Sequence, residues 1–415
     1  MIGAIIGDAI GSVYEFNNTK DYDFKILSKN SDITDDSVLT AAVACWQLAG
    51  GKEGMTQEWL EKCLVDFANR YPAPMGGYGN GFQCWLNAAV RKPYNSWGNG
   101  SAMRVSSVGW LYDDLDETER VAGLSAEITH NHPEGIKGAQ ATAAAIWMAR
   151  RGYDKFLIRD TIQERYGYNL KASWKDIQPT YGWEDSCQGT VPAALIAFLD
   201  SNDFEDAIRK AVSLGGDSDT IGAITGAVAE AYYKEIPEHI VTEVLVKLPE
   251  DLMTVISAFI RKSDAYREAA ASYIPESFLN DGDISSLMIG RVTPEFITSL
   301  RPGEVFVFGS NLQGAHGGGA ARIALNNFGA VWGQGVGLQG QSYAIPTMHG
   351  GVDVIKPYVD EFIGFAAKHP ELFFYVTRVG CGIAGFRDSE IAPLFAEAMG
   401  LSNVALPKSF IEYLK

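Results

Sequence analysis

Two short acidic stretches far apart in the chain carry the side chains best suited to chemistry. One is residues 34–37 (Thr-Asp-Asp-Ser) and the other is residues 215–220 (Gly-Gly-Asp-Ser-Asp-Thr). Each ends a loop and precedes apolar residues at helical spacing, so we expect both at surface helix N-termini. Side-chain oxygens cap free N–H groups there, and capping alone would explain either stretch. Together, the stretches offer six hard oxygen ligands, which are Thr34, Asp35, Asp36, Asp217, Asp219 and Thr220.

Carboxylate and hydroxyl oxygens are the ligands that Mg²⁺ and Mn²⁺ prefer. Each stretch is also more acidic than capping requires. If the fold brings the two stretches together, they form a site for two metal ions. Such a site can activate water and bind an anionic substrate.

The start of the chain has glycine at every fourth position, at Gly3, Gly7 and Gly11, among isoleucines. Each glycine inside a helix costs about 1 kcal/mol relative to alanine. We therefore expect this helix face to pack closely against another helix. Asp8, in the same apolar run, lies on a solvated face or supports the acidic site. Glu15 follows the helix and could reach that site as an acid–base group or as a substrate ligand.

The length of 415 residues predicts two domains. The composition, with 47% hydrophobic and 20% charged residues, is that of a soluble globular protein. There is no long uninterrupted apolar run and no basic leader, so we expect neither a membrane partner nor a signal peptide. Five scattered cysteines without a CxxC pair indicate reduced thiols and a cytoplasmic protein. Residues 291–415 hold nine basic and ten acidic residues. Residues 1–290 hold the remaining 25 basic and 41 acidic residues and therefore carry most of the negative charge. Neither part has a basic stripe, so no nucleic-acid partner is expected.

The periodicity changes class along the chain. Helical spacing recurs through residues 1–262, as in Leu60, Leu64 and Phe67, and no alternating strand precedes residue 290. Residues 263–290 become polar and irregular, and we interpret them as a linker. Residues 291–415 then alternate strand patterns, at 304–308, 342–345 and 373–377, with helical ones. The fold class is thus multi-domain, with an all-α domain followed by a smaller α/β domain.

Two glycine-rich loops, residues 76–81 and 95–101, interrupt the helical domain. Backbone N–H groups of such loops near helix starts suit a pyrophosphate. Trp97 could stack on adenine or anchor the loop in the core. His130 and His132 flank Asn131 at a helix start, where a histidine commonly makes a local hydrogen bond, so we do not expect either to bind metal.

Six segments carry a family resemblance. In chain order they are residues 3–15, the acidic stretch at 34–37, residues 95–104 (Asn-Ser-Trp-Gly-Asn-Gly-Ser-Ala-Met-Arg), 129–130 (Thr-His) and 135–139 (Gly-Ile-Lys-Gly-Ala), and the acidic stretch at 215–220. In this order they resemble the ADP-ribosylglycohydrolase (DraG-like) family over about residues 1–262. The resemblance implies an all-α domain, two Mg²⁺ or Mn²⁺ ions and hydrolysis of ADP-ribosyl bonds. The partner would be ADP-ribose or an ADP-ribosylated protein or small molecule. The opening and the loop look more like the branch that removes serine-linked ADP-ribose than the arginine-specific branch.

The resemblance also implies roles for individual residues. Glu15 and Asp36 become the candidate catalytic residues, and the six oxygen ligands become the metal set. The candidate substrate-binding residues are Ser96, Trp97, Gly98, Asn99, Gly100 and His130.

The second domain has two glycine loops that follow strands, at 314–319 and 380–386, where nucleotide phosphates are commonly bound. Together with Asn311, these two loops resemble those of a divergent macrodomain, which is an ADP-ribose-binding fold. It implies nucleotide-binding residues at Asn311, Gly317, Gly318, Gly319, Gly382, Ile383 and Phe386. Arg291 stands where macrodomains commonly carry an adenine-reading aspartate, so we expect weak affinity for plain ADP-ribose. His316 and Cys381, within these loops, serve either catalysis or loop packing, and we favour packing.

Two alternatives remain open at this point. The protein could bind ADP-ribose or another nucleotide without cleaving it, or it could hydrolyse a free ADP-ribosylated metabolite. The complete acidic stretches favour an enzyme over a binding protein.

Overall fold

The computed structural model describes residues 1–415 except 50–55, 89, 283, 288, 402 and 415. Its chain forms two compact units, residues 1–287 and residues 288–415. The first unit is helical, as predicted, and its described residues contain no strand longer than an isolated bridge. None of the helices in the described part of the chain is long and apolar enough to cross a membrane.

The first unit is a series of helices. They are α1 (Ile2–Gly11), α2 (Asp35–Ala49), α3 (Gln57–Arg70), α4 (Asn80–Leu86), α5 (Gly100–Met103), α6 (Val108–Leu111), α7 (Leu115–Glu127), α8 (Pro133–Arg150), α9 (Lys155–Tyr166), α10 (Trp174–Ile177), α11 (Cys187–Leu199), α12 (Phe204–Val212), α13 (Ser218–Tyr233), α14 (Glu238–Leu245), α15 (Glu250–Lys262) and α16 (Asp264–Ala270). Two 3₁₀ turns follow, at Glu276–Phe278 and Ile284–Leu287.

The centre of the first unit is the crossing of α1 and α13, the two helices that adjoin the acidic site. All of α1 is buried. A Cβ atom added at Gly7 would lie 2.0 Å from the carbonyl oxygen of Gly222, and one at Gly3 would lie 2.3 Å from that of Gly226. Real Cβ atoms do not approach so closely, so only glycine permits this backbone contact. The close helix approach expected from the glycine spacing is present.

The segment interpreted as a linker, residues 263–290, is more ordered than its composition suggested. It begins with α16, and most of it belongs to the first unit. The backbone N–H of Asn280 donates to the Ser257 hydroxyl at 3.1 Å, and the Arg70 guanidinium donates to the carbonyl of Leu287. Polar side chains therefore attach this segment to α3 and α15. Hydrophobic periodicity in the sequence gives no sign of such polar contacts.

The second unit is a sheet with helices on both faces. Its strands and helices are β1 (Val292–Thr293), β2 (Glu304–Ser310), α17 (Gly319–Asn327), β3 (Gly337–Gln339), β4 (Ser342–Pro346), α18 (Val352–Lys368), β5 (Phe373–Val376), α19 (Asp388–Ile391), a 3₁₀ segment (Ala392–Gly400), β6 (Val404–Pro407) and α20 (Lys408–Leu414). The strand order is β1-β6-β5-β2-β4-β3, and all neighbours are parallel except β3 and β4. The three strands expected from the sequence are β2, β4 and β5, so the α/β prediction is confirmed.

The alternation of side chains along β2 explains why both faces are covered. Val305 and Val307 pack into a core with α18 and the helical segments at the C-terminal end. Phe306 and Phe308 point the other way, into a smaller core with α17. A strand that is apolar on both faces has to be covered by helices on both sides.

Candidate active site

The structure brings the two acidic stretches together at the N-termini of α2 and α13. The Thr220 hydroxyl donates to Asp36 Oδ2 at 3.2 Å, which links one stretch directly to the other. Thr34, Asp36 and Asp219 are buried, as is Thr220. The expectation of surface helix ends was therefore wrong, because the two helix ends lie against each other and against Asp8 of α1.

Three carboxylates form the closest cluster that could hold a metal ion among the described residues. Glu15, Asp217 and Asp219 each offer one oxygen, and these oxygens all lie within 4.8 Å of one another. Asp35 starts α2 beside this cluster and is partly exposed. Burial, followed by the charges of Asp8, Asp217 and Glu15, raises the pKa of Asp35 well above its usual value. The carboxylates predicted as metal ligands thus belong to one electrostatic group, and Glu15 joins them.

Three buried oxygens of this group accept no hydrogen bond from any residue that the structure describes. They are Oε2 of Glu15, Oδ1 of Asp36 and Oδ1 of Asp219. Burial raises the pKa of Glu15 to about 7, and it raises the pKa values of Asp36 and Asp219 well above their usual values. The charges of neighbouring carboxylates add to each of these shifts. A buried carboxylate without donors is costly unless a cation neutralises it. The donor set is all oxygen, so it fits Mg²⁺ or Mn²⁺.

Asp8 supports the site from beneath and does not lie on a solvated face. It is fully buried, and its carboxylate accepts hydrogen bonds from the backbone N–H of Thr34 at 3.0 Å and of Ser37 at 3.1 Å. The hydroxyls of Thr34, at 2.8 Å, and of Ser37 also donate to it. Asp8 therefore fixes the loop that carries Asp35 and Asp36 against α1.

Asn99, predicted as a substrate ligand, contacts the acidic cluster itself. Its side-chain amide donates to Asp217 Oδ2 at 2.6 Å and to the Thr190 hydroxyl at 3.1 Å. It is buried. Asn99 therefore orients Asp217, and its backbone N–H is held by the carbonyl of Asp185 at 2.8 Å.

His130 lies behind the loop of residues 96–100 and is buried. Its Nε2 is 3.2 Å from the position a Cβ would take at Gly100, and its Nδ1 is 2.7 Å from the Thr129 hydroxyl. Burial and the Arg104 guanidinium hold the pKa of His130 well below its usual value, so the ring is neutral. His132 accepts from the N–H of Glu134 at 3.1 Å as the N-cap of α8. Neither histidine is placed as a metal ligand.

The remaining loop residues expected to bind substrate are more open. Trp97 is 48% exposed, which leaves a ring face free for stacking. Gly98 donates its N–H to the Ser96 hydroxyl at 3.1 Å and pairs with Ser186 in an isolated bridge. Gly76, in the other glycine loop, has φ +78°, and a Cβ there would lie 2.6 Å from Oε2 of Glu15. That loop therefore covers Glu15 closely.

One known protein family matches the helical part of the chain. The family model described as ADP-ribosylglycohydrolase matches residues 1–269, which lie entirely within the first unit. The chain belongs to the ADP-ribosylglycohydrolase family.

Curated relatives extend over much of the same region. ADP-ribosylhydrolase ARH3 of Mus musculus is 27% identical over 321 residues, covering 57% of this chain and 84% of the relative. ADP-ribosylarginine hydrolase Tri1 of Pseudomonas putida is 25% identical over 275 residues, covering 56% of this chain and 69% of the relative. A solved chain described as ADP-ribosylglycohydrolase-related protein complex has 23% identity and a TM-score of 0.45, covering 65% of this chain and 97% of that one.

The second unit, beyond the ADP-ribosylglycohydrolase match, places its two glycine loops beside each other. A Cβ at Gly318, the N-cap of α17, would lie 3.0 Å from Cδ1 of Ile383, and one at Gly319 would lie 3.6 Å from it. Gly317 and Gly382 have open space around them. Both loops follow neighbouring parallel strands, β2 and β5, so they meet at the same sheet edge.

The other residues singled out in the second unit serve its structure. Asn311 closes the first loop through two hydrogen bonds with the backbone of Ala315, both 3.0 Å long. Phe386 packs on the larger core. The Arg291 guanidinium donates to the carbonyl of Met399 at 2.6 Å and to two further carbonyls.

The two reactive side chains near these loops also lie in structural positions. His316 is fully buried, packs edge-on against Phe308 and lies 3.1 Å from the carbonyl oxygen of Gln334. Burial raises the pKa of the Cys381 thiol to about 12, which suppresses the thiolate needed for nucleophilic attack. Loop packing, the interpretation favoured from the sequence, agrees with both positions.

Sequence patterns gave no signal for three features of the site. Asn18, in the loop after α1, holds Gly216 by donating to its carbonyl at 2.9 Å and accepting from its N–H at 2.7 Å. Phe16 and Trp183 stack on each other beside this loop. The last feature is Asp185, whose carbonyl holds Asn99. All of these lie in irregular segments, where spacing predicts no partner.

Proposed function

We propose that this member of the ADP-ribosylglycohydrolase family is a metal-dependent hydrolase that cleaves ADP-ribosyl bonds in modified proteins or small molecules. The observation that carries the proposal is the convergence of buried carboxylates with donor-free oxygens on Glu15, Asp36 and Asp219. A binding protein without catalysis does not need such a cluster, because burying carboxylates together lowers stability.

The metal ligands of this proposal are the oxygens at the starts of α2 and α13. They are Thr34, Asp35, Asp36, Asp217, Asp219 and Thr220, with Glu15 close enough to share an ion. When bound, two Mg²⁺ or Mn²⁺ ions would neutralise these carboxylates and supply Lewis-acid activation of water and of the ribose hydroxyls.

The protein's own groups act around that centre. Glu15, at the edge of the cluster, is the acid–base group, because its buried Oε2 has no hydrogen-bond partner among the described residues and is available to exchange a proton with substrate or water. Asn99 keeps Asp217 in place. The diphosphate lies along the loop at 96–100, in which the N–H groups of Gly98 and Asn99 are already bonded within the protein, and Trp97 stacks on the adenine. The neutral His130 supports that loop without adding charge.

The relatives are consistent with this chemistry but do not decide the linkage. One is named an ADP-ribosylhydrolase and another an ADP-ribosylarginine hydrolase. The experiment is an assay of ADP-ribose release by the full chain from serine-linked, arginine-linked and nucleotide-linked substrates, with Mg²⁺, with Mn²⁺ and with excess chelator. We expect release from at least one substrate, dependent on metal, and lost in Asp36→Asn and Asp219→Asn.

A noncatalytic role would give a different result. If the full chain binds ADP-ribose but releases none from any substrate with either metal, the binding-protein alternative replaces this proposal. Full activity in excess chelator would retain hydrolysis but refute the metal centre. Circular dichroism of the two variants checks that loss of activity is not loss of fold.

We further propose that the second unit binds a nucleotide diphosphate at the sheet edge where its two glycine loops meet. Gly317 and Gly382 leave room for a ligand to approach the backbone, and Gly318 starts α17 beside them. We also assign the protein to the cytoplasm, because the cysteines, all described, are free.

A further inference from the structure

Two large aromatic side chains lie stacked and exposed beside Glu15. Phe16 follows Glu15 directly, and Trp183 lies in the loop before α11; their ring centroids are 5.9 Å apart with an interplanar angle of 19°. Phe16 is 73% exposed and Trp183 is 55% exposed. Most of each ring faces water, so the pair contributes little to the core. An exposed apolar surface next to an active site points to a binding role.

The loops that carry this pair are fixed in position. Asn18 donates to the carbonyl of Glu15 at 2.7 Å as well as to that of Gly216. The Lys20 ammonium donates to the carbonyls of Gln178, at 2.8 Å, and of Tyr181, at 2.6 Å. Both anchors join the segment after α1 to its neighbours. The aromatic pair is therefore positioned before a substrate arrives, which lowers the entropy cost of binding.

The pairing of two backbone segments shows on which side of the site the aromatic pair lies. Gly98 and Ser186 form an antiparallel bridge, so the segment that ends at Ser186 runs opposite to the loop that contains Trp97. Trp97 lies at one end of this pairing and Trp183 beyond the other end. Asn99, which contacts the acidic cluster, lies between them.

This arrangement assigns the aromatic pair to the leaving group, on the basis of the proposed function. ADP-ribose that stacks its adenine on Trp97 and lays its diphosphate along the glycine loop places its terminal ribose at the acidic cluster. The bond to be cleaved then lies near Glu15. The group beyond that bond reaches Phe16 and Trp183.

The charge around the pair favours a cation. Glu15 precedes Phe16, and the exposed Asp185 lies two residues after Trp183. The neighbouring ammonium of Lys20 is turned toward backbone carbonyls. Aromatic faces attract ammonium and guanidinium groups, and nearby carboxylates strengthen the attraction.

We propose that Phe16 and Trp183 form an acceptor-binding surface that takes a lysine or arginine side chain beside the modified residue. The preferred substrates are then ADP-ribosylated segments with positive charge. The pair determines specificity and takes no part in bond cleavage.

The experiment uses the full chain with Mg²⁺ and three substrates of one linkage, the linkage that wild type cleaves fastest. Two are ADP-ribosylated peptides of equal length, one with lysines and one with glutamates beside the modified residue. The third is the same ADP-ribosyl bond on a single amino-acid amide. The variants are Phe16→Ala, Trp183→Ala and Trp183→Phe, and the control is Phe156→Ala, which removes a ring that is 70% exposed on α9.

We expect each alanine variant at the pair to raise KM for the lysine peptide about three- to fivefold, the loss of one exposed cation–π contact, with kcat unchanged. Trp183→Phe should retain most of the affinity for the lysine peptide. The variants at the pair should leave KM for the single amino-acid amide unchanged, and Phe156→Ala should leave KM for the lysine peptide unchanged. Equal losses on the amide would place the pair on ADP-ribose itself and refute the inference. Unchanged KM for the lysine peptide, or no preference of wild type for it, would also refute it. If wild type cleaves no substrate, the proposed function fails first and this inference fails with it.

Discussion

Replacing Asp8 separates its role in holding the site from any role in chemistry. Three of its four hydrogen bonds go to one oxygen, Oδ2, which accepts from the N–H groups of Thr34 and Ser37 and from the Ser37 hydroxyl. Among the described residues, the Thr34 hydroxyl alone donates to Oδ1. In Asp8→Asn the amide oxygen can take the place of Oδ2, and the Thr34 hydroxyl can turn to accept from the amide. Asn thus keeps the bonds but loses their charge assistance, at a cost of about 1–2 kcal/mol.

Asp8→Leu has similar size and no acceptor. It leaves two buried backbone N–H groups without a partner, at about 1–3 kcal/mol each, so we expect a total loss of about 4 kcal/mol. Denaturant unfolding followed by tryptophan fluorescence measures both, since eight of the nine tryptophans lie in residues 1–287. Hydrolysis should fall at least about 100-fold in Asp8→Leu, because Asp35 and Asp36 lose their support. Equal stability of the Leu and Asn variants would refute this assignment of the hydrogen bonds.

Three further predictions concern single contacts. Gly7→Ala should destabilise the first unit by about 2 kcal/mol, because the new methyl group would overpack against the α13 backbone and this cost exceeds the gain in helix propensity. The control is Gly123→Ala on α7, where the new methyl group makes only ordinary contacts, and it should stabilise the unit by up to about 1 kcal/mol. Denaturant unfolding measures both, and equal effects would contradict the close helix crossing. Glu15→Gln should keep metal binding by calorimetry but slow ADP-ribose release about 100-fold or more, and wild-type turnover would leave Glu15 without a catalytic role. Gly318→Val should remove calorimetric binding of ADP-ribose and related nucleotides to the second unit within the full chain, and undiminished binding would exclude the glycine loops as the site.

The elements could be predicted from the sequence because their signals are local. Glycine at every fourth position required a close helix contact, and α1 meets α13 at Gly222 and Gly226 as that spacing implies. The two acidic stretches combine hard oxygen donors with helix starts, so their meeting could be proposed from residue type and position alone. Strands β2, β4 and β5 were visible as short runs rich in apolar residues.

What the sequence did not reveal depends on long-range contacts of irregular segments. Asp36 and Asp219 are buried at helix ends that are far apart in the chain but meet in the fold, and no local spacing rule predicts such a meeting. Asn99 looked like a substrate ligand but also orients Asp217, because its neighbour Asp185 holds its backbone. Arg291 looked like an altered ligand-binding residue, yet its guanidinium bonds backbone carbonyls.

The central claim is that the two acidic stretches together hold divalent metal ions. The most direct measurement is Mn²⁺ binding to the full chain by calorimetry, with electron paramagnetic resonance to count the bound ions, compared between wild type and Asp219→Asn. We predict two bound ions for wild type and loss of at least one in the variant, because Asp219 contributes a buried oxygen without a donor to the cluster. Wild type that binds no Mn²⁺, or a variant that binds as many ions with equal affinity, would contradict the claim.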